Sequence, residues 1–341
     1  MKKGYISIII VNWNGLKWLK NCFDSLIKQT YTQYEIIFVE DASDNQKETI
    51  EFVEKKYPHV QIVVNSIHTG FAGGNNKGLT IAKGEYILML NNDTVQESDY
   101  LEQLVHSMNK YPRAASIQSK LVLMNDKSKL DVCGSYWTDT TILHYIGLGK
   151  AANKKEYNEP KQFFSNKGAS MMVRKSVIDS IGFLDDDFWT YYEETDFCHR
   201  AWLSGYEVWY TPNAVCYHAN GGTSAIQHNN SLIMFHNLKN KLNSYIKNFE
   251  YRNLLYIIPF HIAISIVTSM MMLLQGKWKH GLVCFTAIGW NILHISSTVK
   301  KRSVVQHKRK ISDASVFGLV KKNPPWRYYL YFFIGLEKYQ E

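Results

Sequence analysis

The N-terminal half of the chain alternates short, continuously apolar segments with segments whose apolar residues recur at helical spacing. The apolar segments are Tyr5–Val11, Glu35–Val39, Val60–Val64 and Tyr86–Leu90. Helical patterns occupy 16–27 and 72–82. Continuous apolar runs of this length are typical of strands buried on both faces. Strands alternating with helices predict an α/β fold, in which helices flank a mixed, mostly parallel sheet.

Polar side chains gather where three of these strands end. The clusters lie at 12–14, 40–44 and 91–93. The carboxyl ends of parallel strands meet at one edge of a sheet, and ligands of such folds bind there. Each cluster alone also fits an ordinary turn, and residues 41–44 fit a turn with a helix N-cap. Together, the three clusters predict a ligand site at this edge.

A glycine-rich segment, Gly70–Gly78, lies at the beginning of the helical segment that follows the third apolar run. Its spacing is not G-x-G-x-x-G and it does not follow the first strand, which excludes a dinucleotide-binding fingerprint. Glycines at the beginning of a helix let its N-terminus approach a phosphate or a sugar closely. We therefore expect this segment to lie beside the ligand.

The charge of the chain changes sign near residue 238. Residues 1–238 hold 23 Lys/Arg and 26 Asp/Glu, whereas residues 239–341 hold 16 Lys/Arg and 4 Asp/Glu. This division predicts an acidic body, 1–238, followed by a basic, aromatic tail, 239–341. The cations of the tail adjoin apolar segments rather than a recognition motif, so nucleic acid is not an expected partner.

The tail contains two apolar runs, 254–274 and 281–297, followed by six cations between Lys300 and Lys310. A helix over the first run would extend about 31 Å, close to the thickness of the hydrocarbon core. Cations directly after an apolar run favour the cytosolic side and anionic lipid headgroups. We expect a helical, membrane-associated region on the cytoplasmic face of the cell membrane. The alternatives are a buried helical pair in a soluble domain and a pair lying in the interface.

The N-terminus and the cysteines agree with a cytosolic body. The run that follows Lys2 and Lys3 is short, ends in Asn12–Gly15 and lacks a small-residue cleavage site, so a signal peptide is not expected. Five scattered cysteines without a C-x-x-C pair favour a reducing compartment and disfavour a structural zinc site.

Seven landmarks in the chain are similar, in kind and order, to those of the inverting glycosyltransferases of family 2, which have the GT-A fold. They are SIIIVNWNG (7–15), VEDAS (39–43), TGFAGGNNKG (69–78), GEYILMLNNDT (84–94), GASMMVRKSV (168–177), YYEETDFCHRA (191–201) and YTPNAVCYHANGGTS (210–224). The third resembles the branch that contains many bacterial rhamnosyltransferases. The resemblance covers about two-thirds of the chain and implies a Rossmann-like GT-A domain.

The resemblance implies a divalent cation, Mn²⁺ or Mg²⁺, which would stabilise the charge on a departing diphosphate. The family's Asp-x-Asp motif stands here as Asn91-Asn92-Asp93, so Asp93 is the expected metal ligand. His218 occupies the position where the family often places a histidine against the same metal. A lone histidine after a strand is also a common structural hydrogen-bonding residue.

The resemblance further implies that a nucleotide-diphosphate sugar binds as the donor. Residues expected to bind it are Val11, Asn12, Glu40, Asp41, Gly73, Asn75 and Asn92. Asp41 matches the position from which the family directs a carboxylate at the base, where its oxygens can accept a ring N–H. The alternative for Asp41 is helix N-capping.

The general base is expected in the segment Tyr191–Asp196. The family usually shows Glu-Asp-x-Asp, and this chain has Glu193-Glu194-Thr195-Asp196. Glu194 matches the catalytic carboxylate with one additional methylene, and Glu193 and Asp196 are expected to orient the acceptor or the loop. Standing alone, these residues also fit acidic side chains that favour a helix N-terminus.

These expectations combine into a metal-dependent inverting enzyme. It would move a sugar, with dTDP-rhamnose or a UDP-hexose as donor, to a lipid-linked, polyprenyl-diphosphate saccharide in cell-surface polysaccharide synthesis. The alternative is a catalytically weak, membrane-tethered partner subunit whose metal motif has decayed to Asn-Asn-Asp.

Overall fold

The structure is a computed structural model of the chain, and it describes residues 2–219, 231–334 and 338–339. Twelve strands lie within these residues. They are β1 (Lys2–Asn12), β2 (Tyr34–Asp41), β3 (Gln61–Asn65), β4 (Gly84–Leu90), β5 (Thr94–Gln96), β6 (Ala114–Leu123), β7 (Asp126–Leu130), β8 (Gly134–Tyr136), β9 (His144–Ile146), β10 (Lys161–Gln162), β11 (Ser170–Arg174) and β12 (Glu207–His218).

The helices divide between the body and the tail. Those of the body are α1 (Leu16–Leu26), α2 (Gln46–Lys56), α3 (Gly70–Leu79), α4 (Tyr100–Lys110), α5 (Lys175–Ile181) and α6 (Glu193–Leu203). The later ones are α7 (Ser231–Asn248), α8 (Tyr251–Leu274), α9 (Trp278–Gly281), α10 (Val283–Leu293), α11 (Ile295–Lys308), α12 (Asp313–Val320) and α13 (Arg327–Ile334).

The large sheet has the strand order β10-β12-β6-β11-β4-β1-β2-β3, with β5 and β7 paired at its side. Strands β1 to β4 are parallel to one another: β1 pairs with β2 and β4, and β2 pairs with β3. Strand β11 is antiparallel to both β4 and β6, which makes the sheet mixed. The predicted fold class, a mixed sheet flanked by helices, is confirmed.

Strand β1 explains why its apolar run is continuous. Ile8 and Ile10 contact one core together with α1 and α4, whereas Ile9 contacts the opposite core with α3, α5 and α6. All three side chains are fully buried. Since successive residues of a strand face opposite sides, a sheet covered on both faces requires apolar residues at every position.

The boundary predicted after residue 238 falls within α7. Tyr245 of this helix and Phe249 directly after it are fully buried in a core that includes residues of α3, α5 and α6. Val316 of α12 belongs to the same core. The body and the tail therefore share a helix and a core, and residues 239–341 do not form a separate folding unit.

Helix α8 contains the first predicted apolar run. It is the one helix of the described chain that is long and apolar enough to cross a membrane by itself, with a mean hydropathy of 2.1. Only 17% of its most apolar window is buried within the protein. Large side chains such as Leu255, Val267 and Leu274 are exposed along it.

The second apolar run, 281–297, is divided between two helices. The run breaks at His294, and the helical segments on either side, Trp278–Leu293 and Ile295–Lys308, meet at 69°. Before the break, the buried Asn291 side chain of α10 donates a hydrogen bond to the Lys239 carbonyl of α7 at 3.1 Å.

The six cations that follow this run divide into two sets. Lys301, Arg302 and Arg309 bind groups of the protein itself: the first pairs with Asp185 and Asp187, and the two arginines donate to backbone carbonyls of residues 246–249. These three cations are therefore engaged within the protein. The other three, Lys300, Lys308 and Lys310, are exposed.

Candidate active site

A cavity of about 300 Å³ opens at the carboxyl ends of the parallel strands. The three strand-end clusters meet beside it, as predicted. Asn92 donates a hydrogen bond to Oδ1 of Asn12 at 2.6 Å, and Asn12 donates to Oε2 of Glu40 at 2.6 Å. These contacts join residues from the ends of β1, β2 and β4 into one polar rim.

Asp93 and His218 face each other across one side of this cavity. Oδ1 of Asp93 lies 3.3 Å from Nε2 of His218, and Nδ2 of Asn91 lies 3.3 Å from the same ring nitrogen. The pairing of β12 with β5 brings these residues together, because His218 is aligned with Thr94. The two expected metal ligands are therefore adjacent.

The other ring nitrogen of His218 contacts Asp131, a residue that the sequence did not single out. Nδ1 lies 2.7 Å from Oδ2 of Asp131, which also accepts from Lys167 Nζ at 2.6 Å. Burial alone would raise the pKa of Asp131, but Lys167 and His218 hold it well below its usual range. Asp131 therefore stays ionised and fixes the orientation of the imidazole.

These contacts also set the charges of the facing pair. Burial lowers the pKa of His218, but hydrogen bonds to Asp131 and Asp93 outweigh it and raise that pKa. For Asp93, burial acts to raise the pKa, and the hydrogen bond from His218 holds it below its ordinary value. Both shifts favour a protonated His218 facing an ionised Asp93 when no metal is bound.

The residues present fit a divalent cation held jointly by protein and substrate. No group of three or more His, Cys, Asp or Glu side chains suited to a metal occurs in the part of the chain that the structure describes. Asp93 and His218 would supply two ligands, and diphosphate oxygens suit the remaining positions. The carboxylate of Asp131 behind His218 is the arrangement that commonly orients a ligating imidazole.

Two carboxylates enter the cavity from the N-terminus of α6. Tyr191 and Tyr192 have φ of 66° and 73°, in the left-handed region that non-glycine residues seldom adopt, and this turn begins the helix at the cavity wall. Glu193 and Glu194 both line the cavity. Asn240 of α7 supports the turn by donating to the carbonyls of Thr190 and Tyr191.

The two carboxylates differ in their surroundings. Burial raises the pKa of Glu194 to about 7, while the charge of Lys167 opposes the rise. Burial and the neighbouring charge of Glu194 raise the pKa of Glu193 well above its usual value. Glu193 is 4% exposed, and its Oε2 has no hydrogen-bond partner among the described residues. Glu194 is thus the carboxylate that changes charge near neutral pH.

Asp196 lies away from the cavity. Its carboxylate is fully buried, accepts from Arg200 at 2.8 Å and from Asn248 at 2.9 Å, and lies 3.2 Å from Nζ of Lys247. Burial acts to raise its pKa, but Lys247 and Arg200 hold that pKa well below the ordinary value. The contacts of Asp196 join α6 to α7, so its role is to position the helix.

Asp41 is placed behind the cavity lining. Its two oxygens accept from the backbone N–H groups of Thr69 and Gly70 at 2.9–3.0 Å, and Oδ2 lies 2.7 Å from Nδ1 of His68. These donors lie at the beginning of α3, so Asp41 caps that helix, and Asn45, rather than Asp41, precedes α2. The carboxylate itself does not line the cavity, but its partners His68 and Gly70 do.

The glycine-rich segment packs α3 against the sheet. A Cβ on Gly74 would lie 2.5 Å from the Val11 side chain, and one on Gly78 would lie 2.6 Å from that of Ile9. Gly73 faces Thr69, and Asn75 is buried with its side chain donating to the Phe71 carbonyl. Neither Gly73 nor Asn75 lines the cavity. The glycines therefore allow close helix–sheet packing, and only the helix N-terminus, at Gly70 and Phe71, reaches the cavity.

Val11 and Asn92 do line the cavity, together with an aromatic group that the sequence analysis did not predict. The rings of Trp13 and His68 are stacked with centroids 4.5 Å apart, and Trp189 meets His68 edge-on at 4.7 Å. Trp13 stands within the first landmark motif, which was the available signal for it. Such a group offers flat surfaces to a ring system.

The family model described as "Glycosyl transferase family 2" matches residues 7–178. The low-salt glycan biosynthesis hexosyltransferase Agl10 of Haloferax volcanii is 28% identical over 208 residues, which span 58% of this chain and 61% of that protein. The match therefore spans less than two-thirds of that relative. The landmark motifs at 191–201 and 210–224 lie beyond the residues that the family model matches, and residues 220–224 lie outside the described ones.

Two solved structures share the fold. A crystal structure of GalNAc-T7 with UDP, GalNAc and Mn²⁺ is 17% identical, with a TM-score of 0.57, and covers 74% of this chain and 49% of that one. A mannosyltransferase from Pyrobaculum calidifontis in complex with GDP-Man and Mn²⁺ is 13% identical, with a TM-score of 0.52, and covers 89% of this chain and 85% of that one.

Proposed function

The chain belongs to glycosyl transferase family 2, and we propose that it is a metal-dependent, inverting glycosyltransferase. It moves a sugar from a nucleotide-diphosphate sugar to a lipid-linked saccharide in cell-surface polysaccharide synthesis. The observation that carries this proposal is that a single cavity joins Asp93 and His218 on one side to Glu194 on another. A leaving-group site and a base are the two functions that such a transfer needs.

In the proposed reaction, Glu194 accepts the proton of an acceptor hydroxyl as its oxygen attacks the anomeric carbon. The new C–O bond forms on the face opposite the breaking bond to the diphosphate, so the configuration inverts. Asp93 and His218 would hold the divalent cation, which neutralises charge on the departing diphosphate. Burial raises the pKa of Glu194 to about 7, so this carboxylate can accept a proton near neutral pH.

The donor enters at the ends of β1 and β4. Val11 and Asn92 line this part of the cavity beside the stacked Trp13 and His68, which would contact the base and ribose. Asn12, Glu40 and Asp41 hold this wall in place from behind. Both structural relatives were solved with Mn²⁺ and a nucleotide, one of them a nucleotide sugar, which supports this class of donor. We propose dTDP-rhamnose or a UDP-hexose.

The acceptor is presented by the membrane. Helix α8 has an apolar surface that is mostly not covered by the protein, and exposed cations stand at 300, 308 and 310. This pairing of apolar and basic surface suits the cytoplasmic face of a membrane, where anionic headgroups attract cations. A polyprenyl-diphosphate saccharide would reach Glu194 from the membrane that α8 contacts.

A transfer assay in isolated membranes tests this function. We expect release of nucleoside diphosphate and labelling of a lipid fraction with one nucleotide sugar of a panel, and loss of both on adding EDTA. Asp93→Asn should lower turnover by orders of magnitude, because metal electrostatics contribute several kcal/mol to transition-state stabilisation. The matched control is Asp126→Asn, at a partly exposed site on β7. Transfer that survives both EDTA and Asp93→Asn would refute the metal assignment, and no transfer from any donor would favour the partner-subunit alternative.

A further inference from the structure

Lys241 of α7 lacks the polar partners that neighbouring lysines of α7 and α11 have. Lys247 pairs with Asp185 and Asp196, Lys239 donates to the Asp187 carbonyl, and Lys301 pairs with Asp185. Among the described residues Lys241 has no hydrogen bond or ion pair, although its side chain is half-buried. Holding a cation partly out of water, with an aromatic ring beside it and no anion, is unfavourable unless an anion binds there.

Lys241 lies next to the turn that carries the candidate base. Its Nζ is 5.8 Å from the centroid of the Tyr192 ring, and Tyr192 directly precedes Glu193 and Glu194. Asn240, the preceding residue on α7, donates to the carbonyls of Thr190 and Tyr191. The ammonium therefore stands beside the turn that leads into Glu193 and Glu194, behind the residues that line the cavity.

The same face of α7 also contacts the apolar helix α8. Tyr245, one turn after Lys241, packs its ring 5.4 Å from that of His261 in α8 and 6.1 Å from that of Tyr192. Lys241 is itself close enough to His261 for their charges to interact. The lysine thus lies between the membrane-facing helix and the base-bearing turn.

The charge of Lys241 is available to a ligand at neutral pH. Burial is the one cause that lowers the pKa of its ammonium, to about 8, so the group remains mostly protonated at pH 7. A bound phosphate would supply the negative charge that the surrounding protein does not. Charge-assisted hydrogen bonds of this kind are among the stronger ones in proteins.

We propose that Lys241 binds the diphosphate of the lipid-linked acceptor, at a site separate from that of the donor diphosphate. This inference rests on the proposed function, because it assigns the acceptor of that reaction. A diphosphate held beside residue 192 places the sugar attached to it near Glu194, and the prenyl chain extends along α8. The acceptor is therefore a lipid whose reactive hydroxyl lies close to its diphosphate, as in a lipid diphosphate that carries a short saccharide.

The test is the binding of farnesyl diphosphate to the full chain in neutral detergent, measured by calorimetry in the presence of EDTA. The chelator removes metal-dependent binding at Asp93 and His218. We expect Lys241→Met to weaken binding at least about tenfold, the change expected on loss of a hydrogen bond to a charged group. Lys241→Arg should retain most of the affinity, and the control Lys300→Met, on the exposed face of α11, should retain all of it.

Two further measurements distinguish a diphosphate site from binding of the prenyl chain alone and from attraction to lipid headgroups. Farnesol, which lacks the diphosphate, should bind wild type and Lys241→Met equally, and the variant should unfold at the same or a higher temperature because a partly desolvated charge has been removed. Vesicles of phosphatidylglycerol should bind wild type and Lys241→Met equally as well. If instead the variant loses these vesicles and keeps farnesyl diphosphate, the anion is a headgroup and the proposal is wrong.

The binding assay needs no donor and no turnover, so it is independent of the proposed reaction. Binding that depends on Lys241, without sugar transfer, would sustain the acceptor site and refute the reaction. Transfer without any effect of Lys241→Met on farnesyl diphosphate would sustain the reaction and refute the site. Absence of farnesyl diphosphate binding to wild type would also refute the site.

Discussion

Nδ1 of His218 lies 2.7 Å from Oδ2 of Asp131, on the side of the ring opposite Asp93. Asp131 is fully buried in the segment after β7 and belongs to none of the landmark motifs. Because its carboxylate takes the Nδ1–H, it leaves Nε2 directed at Asp93, and once this nitrogen loses its proton its lone pair can bind a metal. The orientation of one predicted ligand thus depends on a residue that the sequence did not mark.

We expect Asp131→Asn to weaken Mn²⁺ binding by about 10- to 100-fold, the usual cost of removing a carboxylate behind a ligating histidine. The measurement is a Mn²⁺ titration in the presence of a nucleoside diphosphate, followed by electron paramagnetic resonance. Asp126→Asn, at a partly exposed site on β7, is the control. Equal Mn²⁺ affinity in wild type and Asp131→Asn would show that His218 does not bind the metal through Nε2.

The second prediction concerns the rate of transfer as a function of pH. Burial raises the pKa of Glu194 to about 7, and a base acts only when ionised, so kcat/KM should fall as pH decreases through about 7. Glu194→Gln should lose about 10²- to 10⁴-fold in rate while still binding the donor. If Glu193→Gln lost transfer and Glu194→Gln did not, the base would be Glu193.

Glu193 should make the protein less stable as pH rises. Its folded-state pKa lies well above the ordinary value, so the folded protein retains a proton that the unfolded chain releases above about pH 4.5. The free energy of unfolding therefore decreases with rising pH, by up to about 1.4 kcal/mol per pH unit from this group. Glu193→Gln should remove this group's share of the dependence, leaving that of Glu194, and stabilise the protein more at pH 8 than at pH 5. Chemical denaturation at both pH values measures this, and an equal change at both would contradict it.

The positions of the strands and of the polar rim could be predicted from the sequence because both depend on local patterns. A strand that is buried on both faces, such as β1, requires an uninterrupted apolar run. Asn12 ends β1, and Asn92 lies two residues after β4. Contacts between distant segments could not be predicted in this way. Asp131 and Lys241 acquire their surroundings only when β12 and α7 pack against other parts of the chain, and no short motif records such pairings.

The glycine-rich segment and the six cations show a different limit. Gly74 serves packing against Val11 rather than a ligand, although the composition at the beginning of a helix is the same in both cases. Lys301 and Lys300 are neighbours in one basic run, yet the first pairs with Asp185 and the second is exposed. Composition predicts that a segment is basic, but helix geometry decides which of its cations face the body.

Lys247 should be needed for stability. It is 2% exposed, pairs with Asp185 and lies 3.2 Å from Asp196, which joins α7 to the helix of the candidate base. Removing one partner of a buried ion pair leaves uncompensated charge, so Lys247→Met should lower the free energy of unfolding by about 3–5 kcal/mol. Urea denaturation measures this against Lys300→Met, which should change it little. A stable Lys247→Met protein with full activity would show that α7 does not hold α6 in place.

The final prediction uses the division of the basic run to test membrane attachment. Lys300, Lys308 and Lys310 are exposed, and each cation near an anionic surface contributes about 1 kcal/mol to binding. Replacing all three with Gln should therefore weaken binding to phosphatidylglycerol vesicles by about 3 kcal/mol at low salt, and by less as salt screens the interaction.

The control triple variant replaces Lys301, Arg302 and Arg309, whose side chains bind Asp185, Asp187, Asp313 and backbone carbonyls. It carries the same change in net charge but should mainly lower the free energy of unfolding. Vesicle sedimentation over a salt series, with unfolding followed in parallel, separates the two outcomes. If the exposed triple variant sediments with the vesicles as wild type does at every salt concentration, these cations do not contact the membrane, and attachment would depend on the apolar surface of α8 alone.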